Sequence, residues 1–186
     1  MKFDVIYADN PWKFSSRPIR SGRYDELPYP TLSIKQLMGM NVKDYAEENS
    51  ALFMWTPSAF IMHSGDIMES WGFKYVRVEA VWEKRTVHNN KHKVVSPWGM
   101  NEAEYLLMGI RGQMCNKQTC KGNFETIVSE VYPGRHSAKP QIFRERIEDR
   151  FKNARRLEMF ARERHYGWHL FGNEVKSDVD ILVLVK

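Results

Sequence analysis

Four consecutive residues near the amino terminus, Asp9-Asn10-Pro11-Trp12, bring together a carboxylate, an amide, a rigid imino acid and a large aromatic ring. They follow an apolar run, Val5-Ile6-Tyr7-Ala8, that reads as a strand. This combination suits methyl transfer to the exocyclic N6 amine of adenine. That amine is a poor nucleophile, because its lone pair is delocalised into the ring. A carboxylate and a backbone carbonyl can each accept one amino hydrogen, which localises the lone pair and stabilises positive charge developing on nitrogen. Asp9 offers the carboxylate, and the carbonyl of residue 10 or 11 offers the second acceptor. Pro11 stiffens the loop, so the acceptors are in place before the substrate arrives. Trp12 offers a flat face for a base extruded from a duplex, a stacking contact worth about 1–3 kcal/mol per base. A sulfonium methyl is already activated, so neither a metal nor a covalent enzyme intermediate is required. The same four residues also read as a strand-ending turn with a tryptophan in the core.

The surrounding elements must place that loop. Strand-like segments are expected at Phe3 to Ala8, Ala51 to Trp55, Lys74 to Trp82, Glu104 to Ile110, Thr126 to Tyr132, Arg156 to Phe160 and Trp168 to Phe171. Helices are expected from Ser33, a plausible N-cap, to Tyr45, from Ser58 to Trp71 with a stop at Gly72, and from Lys139 to Phe151 beside Pro140. Asp180 to Val185 is a further apolar run with no assigned role. Alternating strands and helices imply an α/β sheet covered on both faces, with ligands at the carboxyl ends of its strands. The loop after the first strand lies at such an end. No repeat, low-complexity segment or linker divides the 186 residues, so one domain spanning 1–186 is expected.

Composition narrows the setting. With 42% hydrophobic and 27% charged residues the chain matches an ordinary globular protein rather than a disordered or membrane one. No apolar stretch is long enough to span a bilayer, and the opening MKFDVIYADN carries no secretory signal. A cytoplasmic location is expected, or the host cytoplasm for a viral chain. Cys115 and Cys120 alone make neither a disulfide in a reducing compartment nor a zinc site, and the six histidines lack metal-ligand spacing. The net charge of +5 suits a polyanionic partner. Lys84, Arg85, Lys91 and Lys93, with His88 and His92, crowd one polar stretch, and a second basic patch runs from Arg111 to Lys121. Either patch also reads as a solvated loop.

An ordered series of short motifs resembles the MT-A70 family, named for the catalytic subunit of the eukaryotic mRNA N6-adenosine methyltransferase, and especially its short bacterial and phage members. The series runs Tyr7-Ala8-Asp9-Asn10-Pro11-Trp12, Leu27-Pro28-Tyr29-Pro30-Thr31-Leu32-Ser33, Leu52-Phe53-Met54-Trp55, Trp71-Gly72-Phe73 and Trp82-Glu83-Lys84. It continues with Glu104-Tyr105-Leu106-Leu107-Met108-Gly109, His136-Ser137-Ala138-Lys139-Pro140, Leu157-Glu158-Met159-Phe160-Ala161-Arg162 and Gly172-Asn173-Glu174. The resemblance implies a Rossmann-like class I fold in permuted order, with the catalytic loop ahead of the cofactor segment. It implies S-adenosyl-L-methionine as cofactor and nucleic acid, DNA before RNA, as partner. Asp9 is then the catalytic carboxylate, and Trp12 the stacking ring. Asp9, Lys139, Arg162, Asn173 and Glu174 match positions that hold the donor. Tyr29, Trp82 and Lys84 match the substrate side, and Arg85, Lys91 and Lys93 flank the pocket mouth.

One departure stands out. The family's usual loop reads Asp-Pro-Pro-Trp, whereas Asn10 occupies the second position here. The lost proline reduces rigidity, and the Asn side chain competes for hydrogen bonds. No separate target-recognition domain is visible, so the expectation is that specificity is loose, or comes from the two basic loops, a homo-oligomer or an accessory partner. Two other readings stay open: a non-catalytic nucleic-acid-binding relative, and methylation of another amine such as cytosine N4 or a protein glutamine.

Overall fold

The computed structural model describes residues 1–14, 29–96, 99–113, 124–134 and 138–182. Leu27, Pro28, Cys115, Cys120, Lys121, His136, Ser137 and Val185, all named above, lie outside these residues.

Nine strands form. Seven belong to one sheet: β1 (Phe3–Asp9), β2 (Ala46–Thr56), β3 (Lys74–Arg85), β6 (Ala103–Arg111), β7 (Ile127–Val131), β8 (Arg156–Met159) and β9 (Trp168–Phe171). Their order across the sheet is β7-β3-β6-β2-β1-β8-β9. β1 pairs in parallel with β2 on one side and β8 on the other, β8 with β9, and β3 with β7. β6 alone runs antiparallel, between β2 and β3. Two consequences follow for the site. First, the carboxyl ends of β1, β2, β3, β7, β8 and β9 share one edge, and the amino end of β6 joins them there. Second, the chain leaves β1 toward β2 on one side and returns to its other side as β8, so β1 sits at a topological switch point, where open α/β sheets form ligand crevices.

Both faces of the sheet are covered, so β1 and β2 read as nearly continuous apolar runs rather than alternating ones. Along β1, Phe3, Ile6 and Ala8 face one core with Leu37, Ile67, Met68 and Trp71. Val5 and Tyr7 face the other with Trp55, Phe143, Ile147 and Phe151. The first core is capped by α1 (Ile34–Met38) and α2 (Ile61–Ser70), the second by α3 (Ile142–Arg150). No helix of the described residues is long and apolar enough to cross a membrane.

Several expectations are corrected. Ser33 does cap a helix, with its Oγ accepting from Gln36 N and Gln36 Oε1 accepting from Ser33 N in a capping box. That helix ends at Gly39 instead of reaching Tyr45, and only a short 3-10 turn, Val42–Asp44, follows. The second helix proper begins at Ile61, after a 3-10 turn over Ser58–Phe60. α3 begins at Ile142, so Lys139 precedes it instead of sitting in its first turn. Just after the basic stretch an unforeseen hairpin forms, β4 (Val94–Ser96) with β5 (Gly99–Asn101). The terminal apolar run forms no strand over its described part; Val179 and Ile181 are buried in the first core, and Leu182 exchanges hydrogen bonds with Asn41.

Gly172, just beyond β9, is fixed by close approach. A Cβ there would lie 2.1 Å from the Ala161 carbonyl oxygen and 2.7 Å from its nitrogen. Backbone cannot yield as a flexible side chain does, so Gly172→Ala forces the ends of β8 and β9 apart. We expect a loss of about 1–3 kcal/mol of stability, or several degrees in Tm. An unchanged thermal melt would contradict this.

Candidate active site

Asp9 is the last residue of β1, and its carboxylate emerges at the shared edge. Lys139 Nζ donates to Asp9 Oδ2 at 2.6 Å and lies 3.3 Å from Glu104 Oε2. Glu104 also accepts from Lys84 Nζ at 2.5 Å. Four charges of alternating sign thus run from β3 through β6 to the segment before α3 and on to β1. Glu104 reaches them because β6 enters the sheet in the opposite sense. The Lys139 side chain is only 7% exposed. Burial works against its charge, but the Asp9 and Glu104 carboxylates outweigh it and hold the ammonium above the ordinary lysine range. Burial likewise pushes Glu104 up, and Lys139 with Lys84 brings it below the usual carboxylate range. For Asp9 burial prevails over the Lys139 ammonium, and its carboxyl is pushed up. Lys139 takes Oδ2, and among the described residues Oδ1 has no hydrogen-bond partner.

Asp9 opens into a cleft at the shared edge, continuous with solvent. Its walls come from the loop after β1 (Asn10, Pro11), from Tyr29 and Pro30, from Phe160, Ala161 and Arg162 after β8, and from Asn173 and Glu174 after β9. The cleft therefore sits at the switch point identified from the topology. Phe160 adopts a positive φ of 61°, a conformation rare for an aromatic residue and one that tends to be retained at ligand sites. Arg162 Nε donates to Glu174 Oε1 at 2.7 Å, and its guanidinium lies 5.6 Å from the Tyr29 ring. The sequence does not single out Glu104 or Phe160 individually; each shows only within a strand-like run and a family motif, and the antiparallel pairing that brings Glu104 to the site is a long-range fact.

The loop itself is braced from beneath. Trp12 is 5% exposed, its Nε1 donates to the Trp55 carbonyl at 3.3 Å, and its ring stacks on Phe60 at 4.7 Å. One face of Trp12 is thus taken, and little of the ring reaches solvent. The carbonyl of Asn10 accepts from Trp12 N at 2.9 Å, and that of Pro11 from Leu32 N at 2.7 Å. Each keeps one lone pair.

Other expected residues fall apart from this cleft. Trp82 is 1% exposed and packs against Trp55, Phe143 and Tyr132, with its Nε1 donating to the Glu130 carbonyl. The structure places it in the core. Lys84 belongs to the charge chain. Arg85 pairs with Glu83 at 2.6 Å, Lys91 with Glu102 at 3.0 Å, and Lys93 lies 4.0 Å from the same glutamate. The basic stretch is therefore interleaved with Glu83 and Glu102 and presents far less free positive charge than its sequence suggests.

The model of the MT-A70 family matches residues 3–174. The chain belongs to the MT-A70 family. It is 28% identical to the type II methyltransferase M.MunI of a Mycoplasma species, over 95% of this chain and 79% of that protein. It is also 28% identical to an N(6)-adenosine-methyltransferase MT-A70-like protein of Arabidopsis thaliana, over 94% of this chain but only 24% of that longer protein. MT-A70 proteins are methyltransferases that generally use S-adenosylmethionine, and the α/β sheet described above is the Rossmann-like fold of such enzymes. Within that family this chain is an enzyme of the methyltransferase class.

Two measurements check this geometry. In a carbon-13 NMR titration, Asp9 should titrate above the ordinary aspartate value of about 3.9. In Lys139→Met the opposing ammonium is gone, so the midpoint should rise further; a fall would contradict the assigned balance. Trp12→Ala should cost about 3–5 kcal/mol in denaturant unfolding, as expected for a core tryptophan. A cost near zero would mean that the ring does not anchor the loop.

Proposed function

We propose that this chain is an S-adenosylmethionine-dependent methyltransferase that acts on the N6 amine of adenine in nucleic acid, with DNA as the favoured polymer, and that residues 1–186 make one methyltransferase domain. The observation that carries this reading is Asp9 Oδ1, a carboxylate oxygen without a hydrogen-bond partner among the described residues, at the switch point of the sheet and beside an open cleft. Its likeness over most of both chains to a type II methyltransferase favours DNA. RNA is the second reading, on the strength of the Arabidopsis relative.

The residues fit the donor. Asn173 and Glu174 offer groups for ribose hydroxyls, and Arg162 carries a charge-assisted donor into the same cleft. The donor supplies an activated sulfonium methyl. Asp9 accepts one amine hydrogen, and a second oxygen of the loop accepts the other, which keeps the nitrogen lone pair available for in-line attack. Lys139 acts through Asp9: it fixes one carboxylate oxygen and leaves the second for the substrate. Trp12 supports the loop, and the base stacks beside it on the open side of the cleft. Lys91 and Lys93 are half exposed. Exposed ion pairs contribute about 0–1 kcal/mol, so a phosphate backbone can draw these lysines from Glu102 at little cost.

The test is transfer of labelled methyl from S-adenosylmethionine to unmethylated DNA and, in parallel, to RNA, with nucleosides identified after digestion. Label in N6-methyladenine that falls at least a thousandfold in Asp9→Ala is expected, with DNA the better acceptor. Label on cytosine or on protein, or none despite donor binding, would overturn the reading.

A further inference from the structure

Beside Asp9 lies a buried polar group that the protein itself does not satisfy. Asn10 is 3% exposed, and neither Oδ1 nor Nδ2 of its amide has a hydrogen-bond partner. Nearly all buried polar side chains are hydrogen-bonded, so one open at both ends calls for a ligand to complete it. Asn10 lines the cleft next to Asp9. The backbone oxygens nearby are already engaged, that of Asn10 by Trp12 N and that of Pro11 by Leu32 N. Each of those carbonyls carries one hydrogen bond, whereas Asn10 Oδ1 carries none among the described residues.

We infer that the Asn10 carboxamide recognises the target adenine directly. Oδ1 accepts the amine hydrogen that Asp9 does not, and Nδ2 donates to the adjacent ring nitrogen of the same base. The donor and acceptor of an amide match the amine and neighbouring ring nitrogen of adenine, which is how Asn and Gln side chains read that base bidentately. Guanine carries a carbonyl where adenine carries the amine, and so meets Oδ1 with a second acceptor. Asn10 thereby combines the placing of the amine with discrimination between purines. This assignment rests on the proposed adenine methylation. A residue held only for structure behaves differently when removed: deletion of an unsatisfied buried amide relieves the fold, whereas deletion of a ligand-binding amide impairs one substrate.

The experiment compares wild type, Asn10→Ala and Asn10→Leu, the second filling the same volume without polar atoms. Steady-state transfer to the better polymer gives kcat and the KM for each substrate; calorimetry gives S-adenosylmethionine affinity, and a thermal melt gives stability. For both variants we expect kcat/KM toward nucleic acid to fall about ten- to a hundredfold, the scale of one good bidentate base contact. Donor affinity should stay within twofold, and Tm should hold or rise. Transfer within twofold of wild type would overturn the assignment while leaving adenine methylation intact. So would a loss confined to donor affinity, which would place the amide on the donor instead. A wild type that methylates no adenine overturns the underlying reading, and this assignment with it.

Discussion

A single buried ammonium organises the edge of the sheet that carries the candidate site. Lys139 binds Asp9 at the end of β1 and Glu104 at the start of β6, and Glu104 in turn holds Lys84 on β3. Taking such charges out of water is costly, and the cost is recovered only when every partner is present. The arrangement therefore demands that three strands and the segment before α3 meet at one place. It also sets the state of Asp9: one oxygen is fixed, and the other faces the cleft with no partner among the described residues.

Sheet topology makes this meeting achievable. In an all-parallel sheet the start of β6 would lie at the far edge. Running antiparallel between β2 and β3, β6 delivers Glu104 among the carboxyl ends. The cleft wall comes from the same logic, since β8 and β9 extend the parallel part of the sheet beyond β1. Gly172 then lets the end of β9 press against Ala161, and Phe160 turns out of β8 with a positive φ to line the pocket.

Much of this was legible in the sequence, for identifiable reasons. Buried strands such as Ala51–Trp55 show as short apolar runs, and Ser33 and Gly72 mark helix ends through local hydrogen bonding and backbone freedom. Asp9 stands out because its loop sits at a strand end. What stayed hidden depends on partners distant in sequence. Trp12 looked like a stacking platform, but Phe60 and the Trp55 carbonyl turn it into an anchor. Trp82 matched a substrate-side motif, yet two core aromatics and Tyr132 enclose it. The basic stretch around Lys91 showed its cations but not its pairing with Glu102. Asn10 read as a departure from a proline motif; only burial without a partner gives it meaning.

The most direct test of the central claim is a crystal structure of the protein with S-adenosylhomocysteine and an adenine mononucleotide. We predict S-adenosylhomocysteine between Arg162 and Asn173, and the adenine amine within hydrogen-bond distance of Asp9 Oδ1 while Lys139 stays on Oδ2. An adenine seated away from Asp9, or a product bound outside the cleft, would contradict the account.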